Sequence, residues 1–454
     1  MDKAHTTKPP WAIPQWQRRT TISLVQLKYA AWNAPQLEEL QAAKHRISFL
    51  ESTNRWELLK KMVNPYEMVY THEDPHFHPS IAVIKPLSRS YFKLIEMLDV
   101  LQFFEQFPKN TPKIRTAHIA EGPGGFIQAI TDLTERHRKL LQQATAMTLK
   151  PTDQRVPGWR RAASFLQHHR EVRLHYGADN TGDVYKLANQ DSFVKAVTPG
   201  ANLFTADGGF DFSINYDIQE QRVFHLLVCS ATIGLRCLAT DGSFVLKLFD
   251  IFSESTMILV ALIGRCFKEW TLYKPAMSRP CNSERYFLGR GFVGLSANIL
   301  AALSEIQKNN AAELYPVNSA EVLTTEELKY IQTHVATTTQ EQLRAISLAE
   351  KYAIHPEVWY STQLQHDFQT SLSWCQRFRA PFSLTKPISV PPVVYTSGPV
   401  VFPQSLLPGG GSAAPPPSGQ ASATLSVECS DQTRILSQSQ KDEGSPEQIP
   451  AEVP

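Results

Sequence analysis

Four charged residues stand inside, or at the ends of, segments that are otherwise apolar. Lys93 lies in the helical pattern SRSYFKLIEML, and Lys247 lies inside the strand-like run GSFVLKLF. Asp207 ends the run NLFTAD, and Glu284 comes just before the run RYFLGRGF. Charged side chains seldom occupy such places unless they are paired, because removing a charge from water costs several kcal/mol. An ordinary ion pair or a solvent-reaching lysine explains each one alone, but four of them together suggest a catalytic centre.

A glycine-rich turn, EGPGGF at 121–126, follows the apolar run IRTAHIA and precedes a helical pattern. Its three glycines remove side chains and permit positive φ angles at a strand–helix junction. The spacing differs from the dinucleotide-binding GxGxxG, and no Gly-Lys-Ser/Thr follows as in a Walker loop. The turn alone therefore fits a plain connection as well as it fits a ligand-binding loop.

The elements that must position these residues alternate between strand and helix patterns. The strand-like runs are RTAHIA, TAMTLK, VRLHYG, NLFTAD, GSFVLKLF, WTLYKP and RYFLGRGF, and the helical ones between them include GFIQAITDLTERHRKLLQQA, EQRVFHLLVCSATIGLRCLA and SESTMILVALIGRCFKEW. Such alternation predicts an α/β fold with a mostly parallel sheet. The last two strands follow each other without a helix, which predicts that one strand is antiparallel. Catalytic groups collect at the carboxyl edge of such sheets.

The chain divides by pattern into four regions. Residues 1–80 predict a largely helical, amphipathic region that packs on a central domain at 81–295, and residues 296–384 return to helical patterns. Residues 385–454 predict a disordered Pro/Ser/Gly-rich tail, because 12 of the last 68 residues are proline and little is apolar enough to bury. A tail of this kind could bind a protein partner.

Composition limits the function classes. The chain of 454 residues carries a net charge of only +2, so a nucleic-acid site must come from local clustering of basic residues. Six scattered cysteines without a CxxC argue against a zinc ribbon and a disulfide framework. We see no metal-ligand cluster, signal peptide or membrane-spanning run, and expect a cytoplasmic or nuclear protein, or a virion protein if the sequence is viral.

The motifs, in their order, resemble the FtsJ-type RNA 2′-O-methyltransferases and their Lys-Asp-Lys-Glu tetrad. SRSYFKL is similar to the first-lysine helix, TADGGFD to the aspartate motif, GSFVLKLF to the second-lysine strand, and SRPCNSERYFLGRGF to the glutamate motif. EGPGGF is similar to the family's S-adenosylmethionine loop. The motif sequences most resemble those of cap-specific mRNA 2′-O-methyltransferases of eukaryotes and large DNA viruses. The resemblance covers about residues 80–295.

This resemblance implies a Rossmann-like, S-adenosylmethionine-dependent methyltransferase fold with a mostly parallel seven-stranded sheet and one antiparallel strand. It implies methyl transfer to a ribose 2′-hydroxyl of RNA, at the cap-proximal nucleotide of mRNA. The catalytic residues would be Lys93, Asp207, Lys247 and Glu284, with Lys247 as the general base. A lysine acts as a base only if its pKa falls. We expect burial, Lys93 and a cofactor sulfonium to lower it, with Asp207 and Glu284 opposing the shift somewhat while they orient the ammonium groups.

The resemblance also implies the cofactor-binding residues, which are Glu121, Gly122, Pro123, Gly124, Gly125, Phe126, Asp183 and Asp207. Glu121 could reach the methionine amino group or only cap the turn. The family commonly has an acid after the second strand, but TAMTLKPTDQ offers only Asp153, which comes late. Asp183 in the TGD pattern is the next candidate, and Asp179 is a weaker one.

RNA must reach the carboxyl edge of the sheet. Four basic residues in the flanking motifs could line a groove for phosphates: Arg89, Lys274, Arg279 and Arg285. Aromatic residues near the motifs could stack on a methylated guanine or belong to the core: Tyr91, Phe92, Phe249 and Tyr273. Two alternatives remain at this point, a methyltransferase for rRNA or tRNA and an inactive methyltransferase fold that serves as an RNA-binding scaffold.

Overall fold

The computed structural model describes residues 11–12, 23–26, 32–52, 55–71, 74, 76–107, 113–151, 158–209, 219–309, 314–317 and 323–384. Asp153 and the predicted tail at 385–454 lie outside these residues.

A seven-stranded sheet forms the centre of the protein. Its strands run in the spatial order β4-β3-β2-β5-β6-β8-β7. Their bounds are β2 Ile114–Ile119, β3 Leu141–Met147, β4 Val172–Leu174, β5 Ala201–Ala206, β6 Leu238–Leu248, β7 Phe267–Tyr273 and β8 Arg285–Phe292. The inner strands are largely buried because helices cover both faces of the sheet.

Strand direction agrees with the sequence prediction. The pairs from β4 to β6 are parallel, whereas β8 is antiparallel to both β6 and β7. The short connection between β7 and β8 forces this reversal, because a parallel neighbour needs a longer crossover. The strand order changes direction between β2 and β5, which is where ligands bind in open α/β sheets.

Helices flank the sheet and extend beyond it at both ends of the chain. They are α1 Ala34–Ser52, α2 Trp56–Met62, α3 Ser90–Leu101, α4 Gly125–Arg136, α5 Ala163–His168, α6 Leu187–Val197, α7 Gln219–Cys237, α8 Glu254–Gly264, α9 Ala297–Asn309, α10 Thr325–Ile354 and α11 Leu364–Arg377. The start of α10 is fixed by a capping box between Thr324 and Glu327.

One helix is shorter than its sequence pattern predicts. The pattern GFIQAITDLTERHRKLLQQA indicates a single helix, but α4 ends at Arg136 and β3 begins at Leu141. Arg138 has a left-handed φ of 55°, which ends the helix. LQQA then pairs with β2, because strand pairing outweighs the helix propensity of its residues.

The flanking regions share one hydrophobic core with the central sheet. A small antiparallel sheet joins β1, Ser23–Gln26, to β9, Leu314–Val317, and so links the N-terminal and C-terminal regions. Strand β1 falls in a segment with a helical pattern, so the helical prediction is wrong there. None of the helices in the described ranges is both long and apolar enough to cross a membrane.

Candidate active site

Three elements of the sheet and one helix bring the four charged residues together. Lys93 lies in the first turn of α3, and Asp207 follows the last residue of β5. Lys247 lies near the carboxyl end of β6, where it pairs across the sheet with Tyr286 of β8. Glu284 immediately precedes β8, so the antiparallel register places it beside the same end of β6.

The four side chains form one chain of ionic contacts. The Lys93 Nζ lies 2.7 Å from Oε1 of Glu284, and it donates to Oε2 at 2.9 Å. The Lys247 Nζ lies 3.4 Å from Oδ1 of Asp207 and 3.4 Å from Oε2 of Glu284. Two lysines and two carboxylates therefore alternate, and Glu284 lies between both lysines.

Burial makes these contacts strong. Lys247 is 1% exposed and Glu284 is 0% exposed. Burial disfavours the charged carboxylate of Glu284, but Lys93 and Lys247 outweigh it and hold its pKa well below the ordinary value. The two lysines thus favour the charged form of Glu284 although it is buried.

The pKa of Lys247 differs from the sequence-based expectation. Burial disfavours its ammonium, but the carboxylates of Asp207 and Glu284 more than offset burial and raise its pKa above the ordinary value. The expected lowering by burial and Lys93 is wrong for the protein alone, because the carboxylates contact Lys247 while Lys93 is paired with Glu284. Lys247 is therefore protonated in this state.

Tyr286 is a further member of the site that sequence reasoning did not single out. Its hydroxyl donates to Oδ1 of Asp207 at 2.8 Å, and the residue is fully buried. Tyr286 belongs to the motif SERYFL and is the cross-strand partner of Lys247. A hydrogen bond to the Asp207 carboxylate fixes its orientation toward Lys247. The signal in the sequence was the tyrosine two residues after Glu284.

The glycine loop EGPGGF joins β2 to α4. Gly124 has a φ of 106°, a conformation that favours glycine, and any Cβ there would lie 3.2 Å from the ring of Trp159. A Cβ on Gly125 would lie 2.2 Å from Oγ of Ser88 and 2.3 Å from Oγ of Ser90. Gly125 therefore permits α4 to begin against the residues that precede and open α3, which is a packing reason rather than a ligand-binding one.

The two ends of the loop face the protein interior. The Phe126 ring is 0% exposed and lies 6.1 Å, centroid to centroid, from that of Tyr286. Glu121 accepts a hydrogen bond from the Thr205 hydroxyl and lies 3.1 Å from Nδ1 of His118. Burial raises the pKa of Glu121, although His118 and Thr205 oppose the shift. Of the two roles considered for Glu121, these contacts favour fixing the turn.

The TGD turn at 181–183 lies beside the end of β3, which is where the family commonly has an acidic residue. A Cβ on Gly182 would lie 2.0 Å from the carbonyl oxygen of Thr148, which follows β3. The Lys150 amide also donates to the carbonyl oxygen of Thr181 at 2.7 Å. Because the loops after β3 and β4 touch, Asp183 stands beside the end of β3 although it is distant in sequence.

The carboxylates of Asp183 and Asp179 differ in how many hydrogen bonds they accept from the protein. Oδ1 of Asp183 accepts from the Tyr185 amide at 2.9 Å, and the residue is half-buried. Asp179 instead accepts from Lys186 at 2.7 Å and from the side chains of Thr181 and Asn189. Asp183 is accordingly the better placed of the two to hold a ligand.

Two of the expected RNA-binding residues are committed to the protein interior. Arg285 is 1% exposed and donates to Thr338 at 2.8 Å and to the Ser283 carbonyl at 3.2 Å. Lys274 donates to the carbonyl and side-chain oxygens of Asn282 and to the Glu284 carbonyl, each at 2.8 Å. Burial lowers the pKa of Lys274 to about 7. The expectation that these two line a phosphate groove is wrong, because their donors already have protein acceptors.

The other two basic residues make the same kind of contact. Arg89 and Arg279 both form ion pairs with the buried carboxylate of Glu67, at 3.0 and 2.8 Å. Both guanidinium groups are thus partly used within the protein, and a phosphate contact from this pair stays a prediction. The aromatic candidates are core residues or hydrogen-bonded ones: Tyr91, Phe92 and Phe249 are 0% exposed, and the Tyr273 hydroxyl donates to Glu96.

No group of His, Cys, Asp and Glu suited to hold a metal ion occurs within the described part of the chain. The charged centre consists of lysines and carboxylates that neutralise one another.

A family model matches the part of the chain that carries the charged residues. The FtsJ-like methyltransferase model matches residues 86–292, which include the glycine loop and all four charged residues. Residues 86–292 are thus similar to FtsJ-like methyltransferases, and we call them the FtsJ-like domain. The FtsJ-like domain thus coincides with the seven-stranded sheet, and the sequence-based resemblance and fold class are confirmed.

Two curated relatives each match between half and two thirds of this chain. Cap-specific mRNA (nucleoside-2′-O-)-methyltransferase 1 of Xenopus laevis is 31% identical over 247 residues, which cover 50% of this chain and 27% of the relative. Cap-specific mRNA (nucleoside-2′-O-)-methyltransferase 2 of Pongo abelii is 27% identical over 307 residues, 62% of this chain and 39% of the relative. The matches thus span well under half the length of these two relatives.

Among solved structures, a ribosomal RNA methyltransferase from Plasmodium falciparum is similar, with 19% identity and a TM-score of 0.33. The match covers 46% of this chain and 99% of that one.

Proposed function

We propose that this protein transfers a methyl group from S-adenosylmethionine to a ribose 2′-hydroxyl of RNA, at the cap-proximal nucleotide of mRNA. One observation carries the proposal: Lys247 lies 3.4 Å from both Asp207 and Glu284, while Lys93 lies 2.7 Å from Glu284. The four residues implied by the resemblance thus meet at the carboxyl edge of the sheet. The relatives' names support the cap-proximal nucleotide as the target.

The residues at the switch point fit the cofactor. The glycine loop follows β2, and Gly124 holds a φ of 106° that favours a residue without a side chain. Asp207 ends the neighbouring strand β5, and its negative charge suits a cationic sulfonium. Asp183, half-buried beside the end of β3, would hold the ribose or adenine side. Glu121 would act by fixing the loop rather than by touching the cofactor.

The chain's own residues would hold the hydroxyl and move its proton. S-adenosylmethionine, when bound, supplies an electrophilic methyl group and a positive charge that disfavours the ammonium form of Lys247. Lys247 would then take up the proton that the 2′-hydroxyl loses, and general base catalysis is typically worth about 10²–10⁴-fold. Asp207, held by Tyr286, and Glu284, held by Lys93, keep the Lys247 amine oriented. The position of the hydroxyl supplies the remaining rate enhancement.

RNA is the proposed partner, and the proposed location is the cytoplasm or nucleus. Arg285 and Lys274 use their donors within the protein, so any phosphate contact from the motif residues would come from the partly exposed Arg89 and Arg279.

Methyl transfer to matched RNAs tests the proposal. The purified chain is incubated with labelled S-adenosylmethionine and with capped or uncapped RNA of one sequence, and the modified nucleotide is mapped. We expect the label on the cap-proximal ribose of capped RNA. An RNA with 2′-deoxyribose at that nucleotide is the control and should accept no methyl group there.

Each other outcome overturns a defined part of the proposal. Transfer to internal riboses irrespective of the cap would replace the cap with an rRNA-like or tRNA-like substrate. Absence of transfer together with absence of cofactor binding by calorimetry would leave an inactive scaffold.

A further inference from the structure

The segment between β7 and β8, Lys274–Glu284, carries the tetrad glutamate at its end. We call this segment the β7–β8 loop. It has no regular secondary structure of its own, so side chains from elsewhere must fix its path. Two buried carboxylates outside the tetrad, Glu67 and Glu96, supply several of these contacts.

Glu67 lies in the N-terminal region, before the FtsJ-like domain begins. Its Oε1 contacts Nη1 of Arg89 at 3.0 Å and Nη2 of Arg279 at 2.8 Å. Its Oε2 accepts from Nε of Arg279 at 3.2 Å and from the Asn64 side chain at 2.7 Å. Glu67 is 0% exposed, so a single buried carboxylate holds two guanidinium groups in fixed geometry.

The two arginines belong to the two segments that carry one tetrad ion pair. Arg89 is the N-cap residue of α3, about one turn before Lys93, and its Nε also donates to the Met277 carbonyl at 3.2 Å. Arg279 lies within the β7–β8 loop, five residues before Glu284. Glu67 therefore ties the start of α3 to the loop, and Arg89 adds a second tie between them.

A second carboxylate holds the loop from α3 itself. Glu96 lies three residues after Lys93 and is 1% exposed. It accepts from the amides of Ala276 and Met277 at 2.7 and 2.9 Å, and from the Trp374 indole at 2.9 Å. Glu96 fixes the first half of the loop. The second half, which ends at Glu284, is held by Arg279 on Glu67 and by Gln342, which donates to the Cys281 carbonyl at 3.0 Å.

Glu67 holds the loop without contacting a tetrad residue. The Glu67 side chain contacts Asn64, Arg89 and Arg279, none of which is a tetrad residue. The C-terminal region supports the same turn, since Ser371 donates to the Pro65 carbonyl at 3.0 Å. The position of Glu67 is thus set in part by residues outside the FtsJ-like domain.

We propose that Glu67 is a positioning residue for the Lys93–Glu284 ion pair, acting through Arg89 and Arg279. The proposal rests on the proposed methyl transfer for its kinetic consequences. Its structural consequence does not: loss of the Glu67 charge frees the Arg279 half of the β7–β8 loop and loosens the Lys93–Glu284 contact. The N-terminal region is then part of the active centre rather than only a cap on it.

Glu67→Gln tests the proposal, with Glu327→Gln as the matched control. Both residues are buried carboxylates in arginine pairs, and Glu327 contacts Arg265 at 3.1 Å, outside the loop. Glutamine at 327 can still complete the capping box. We expect Glu67→Gln to lower kcat by about 10- to 100-fold, since small misplacements cost rate, with KM for RNA and the cofactor Kd within about twofold. We expect Glu327→Gln to leave kcat unchanged.

Hydrogen–deuterium exchange of the folded full chain gives a readout that does not need activity. Peptides covering the β7–β8 loop should exchange faster in Glu67→Gln than in the wild type and in Glu327→Gln. Glu67→Asp, which keeps the charge but shortens the side chain, should recover part of both kcat and protection. If Glu67→Gln does not fold, Arg279→Lys replaces it, because lysine keeps the charge but loses the two-nitrogen contact.

The outcomes separate the two proposals. Unchanged loop exchange in a folded Glu67→Gln protein overturns the positioning role, and so does an equal loss of kcat in Glu327→Gln. If the wild type methylates no RNA, the proposed function fails, while loop exchange still decides whether Glu67 positions the loop.

Discussion

The glycine loop and the β7–β8 loop meet at one edge of the sheet but are built differently. In the glycine loop, the Gly124 amide donates to the carbonyl of Glu121 three residues earlier, and α4 begins immediately afterwards. The β7–β8 loop is held by carboxylates that are far away in sequence, Glu67 through Arg279 and Glu96 through backbone amides.

This difference separates two kinds of information in the chain. A glycine requirement is local, because φ and close approach are properties of one position. A buried carboxylate that joins two arginines depends on three segments meeting, and each segment alone looks like an ordinary charged surface. Changes to the two loops should therefore fail in different ways.

The largest effect is expected at the centre that both loops serve. Lys247→Ala should lower methyl transfer by about 10²–10⁴-fold, because the proposed general base is lost. Cofactor affinity by calorimetry should stay nearly unchanged. Lys268→Ala is the control, since Lys268 is an exposed lysine paired with Asp241. Substantial activity in Lys247→Ala would show that Lys247 is not the base.

Replacing Glu67, which holds the β7–β8 loop, should lower the free energy of unfolding by an amount that depends on pH. Burial disfavours the charge on Glu67, but Arg279 and Arg89 outweigh it and lower its pKa to about 2. A lowered pKa stabilises the fold above the unfolded pKa, and that stability is lost as the pH falls toward 2. Glu67→Gln should therefore lower the free energy of unfolding by roughly 3 kcal/mol at pH 7.

Denaturant unfolding of both proteins between pH 7 and pH 2 measures this difference. The gap between wild type and Glu67→Gln should be constant down to about pH 5 and then shrink as the carboxylate is protonated. A gap that does not depend on pH would mean that the charge of Glu67 contributes nothing.

The glycine loop should respond with a smaller effect that includes cofactor affinity. Gly124→Ala places a side chain at a φ of 106° and should cost about 1–3 kcal/mol of stability. Gly294→Ala is the matched control, because Gly294 has a φ of 115° and a Cβ there would have open space around it among the described residues. Only Gly124→Ala should also weaken S-adenosylmethionine binding, by about tenfold, because the loop backbone must change its conformation to accept the side chain. Equal affinities of the two variants for S-adenosylmethionine would show that the glycine loop is not part of the cofactor site.

The smallest effect concerns the loop lysine first expected to bind RNA. Lys274→Met should leave the salt dependence of RNA binding unchanged, since its three contacts are with Asn282 and Glu284. Binding is measured across a salt series and plotted as log K against log salt concentration. A slope smaller by about 1 would instead indicate a lost phosphate contact.

The sequence by itself determined the central fold and the members of the tetrad. Apolar runs of strand length, separated by helical patterns, give a mostly parallel sheet, and the short β7–β8 connection gives the antiparallel strand. Lys93, Asp207, Lys247 and Glu284 stood out because a charge inside an apolar element needs a partner. These signals are local, so they can be recognised without knowing which segments meet in space.

Only the tertiary structure decided what the surrounding charges do. Lys274 and Arg285 look like phosphate ligands in sequence, but their donors are used by the protein. The raised pKa of Lys247 depends on its distances from two carboxylates on other elements. The role of Glu67 depends on its contacts with two arginines from other segments. Electrostatic energy depends on separation and burial in space, and spacing along the chain fixes neither of them.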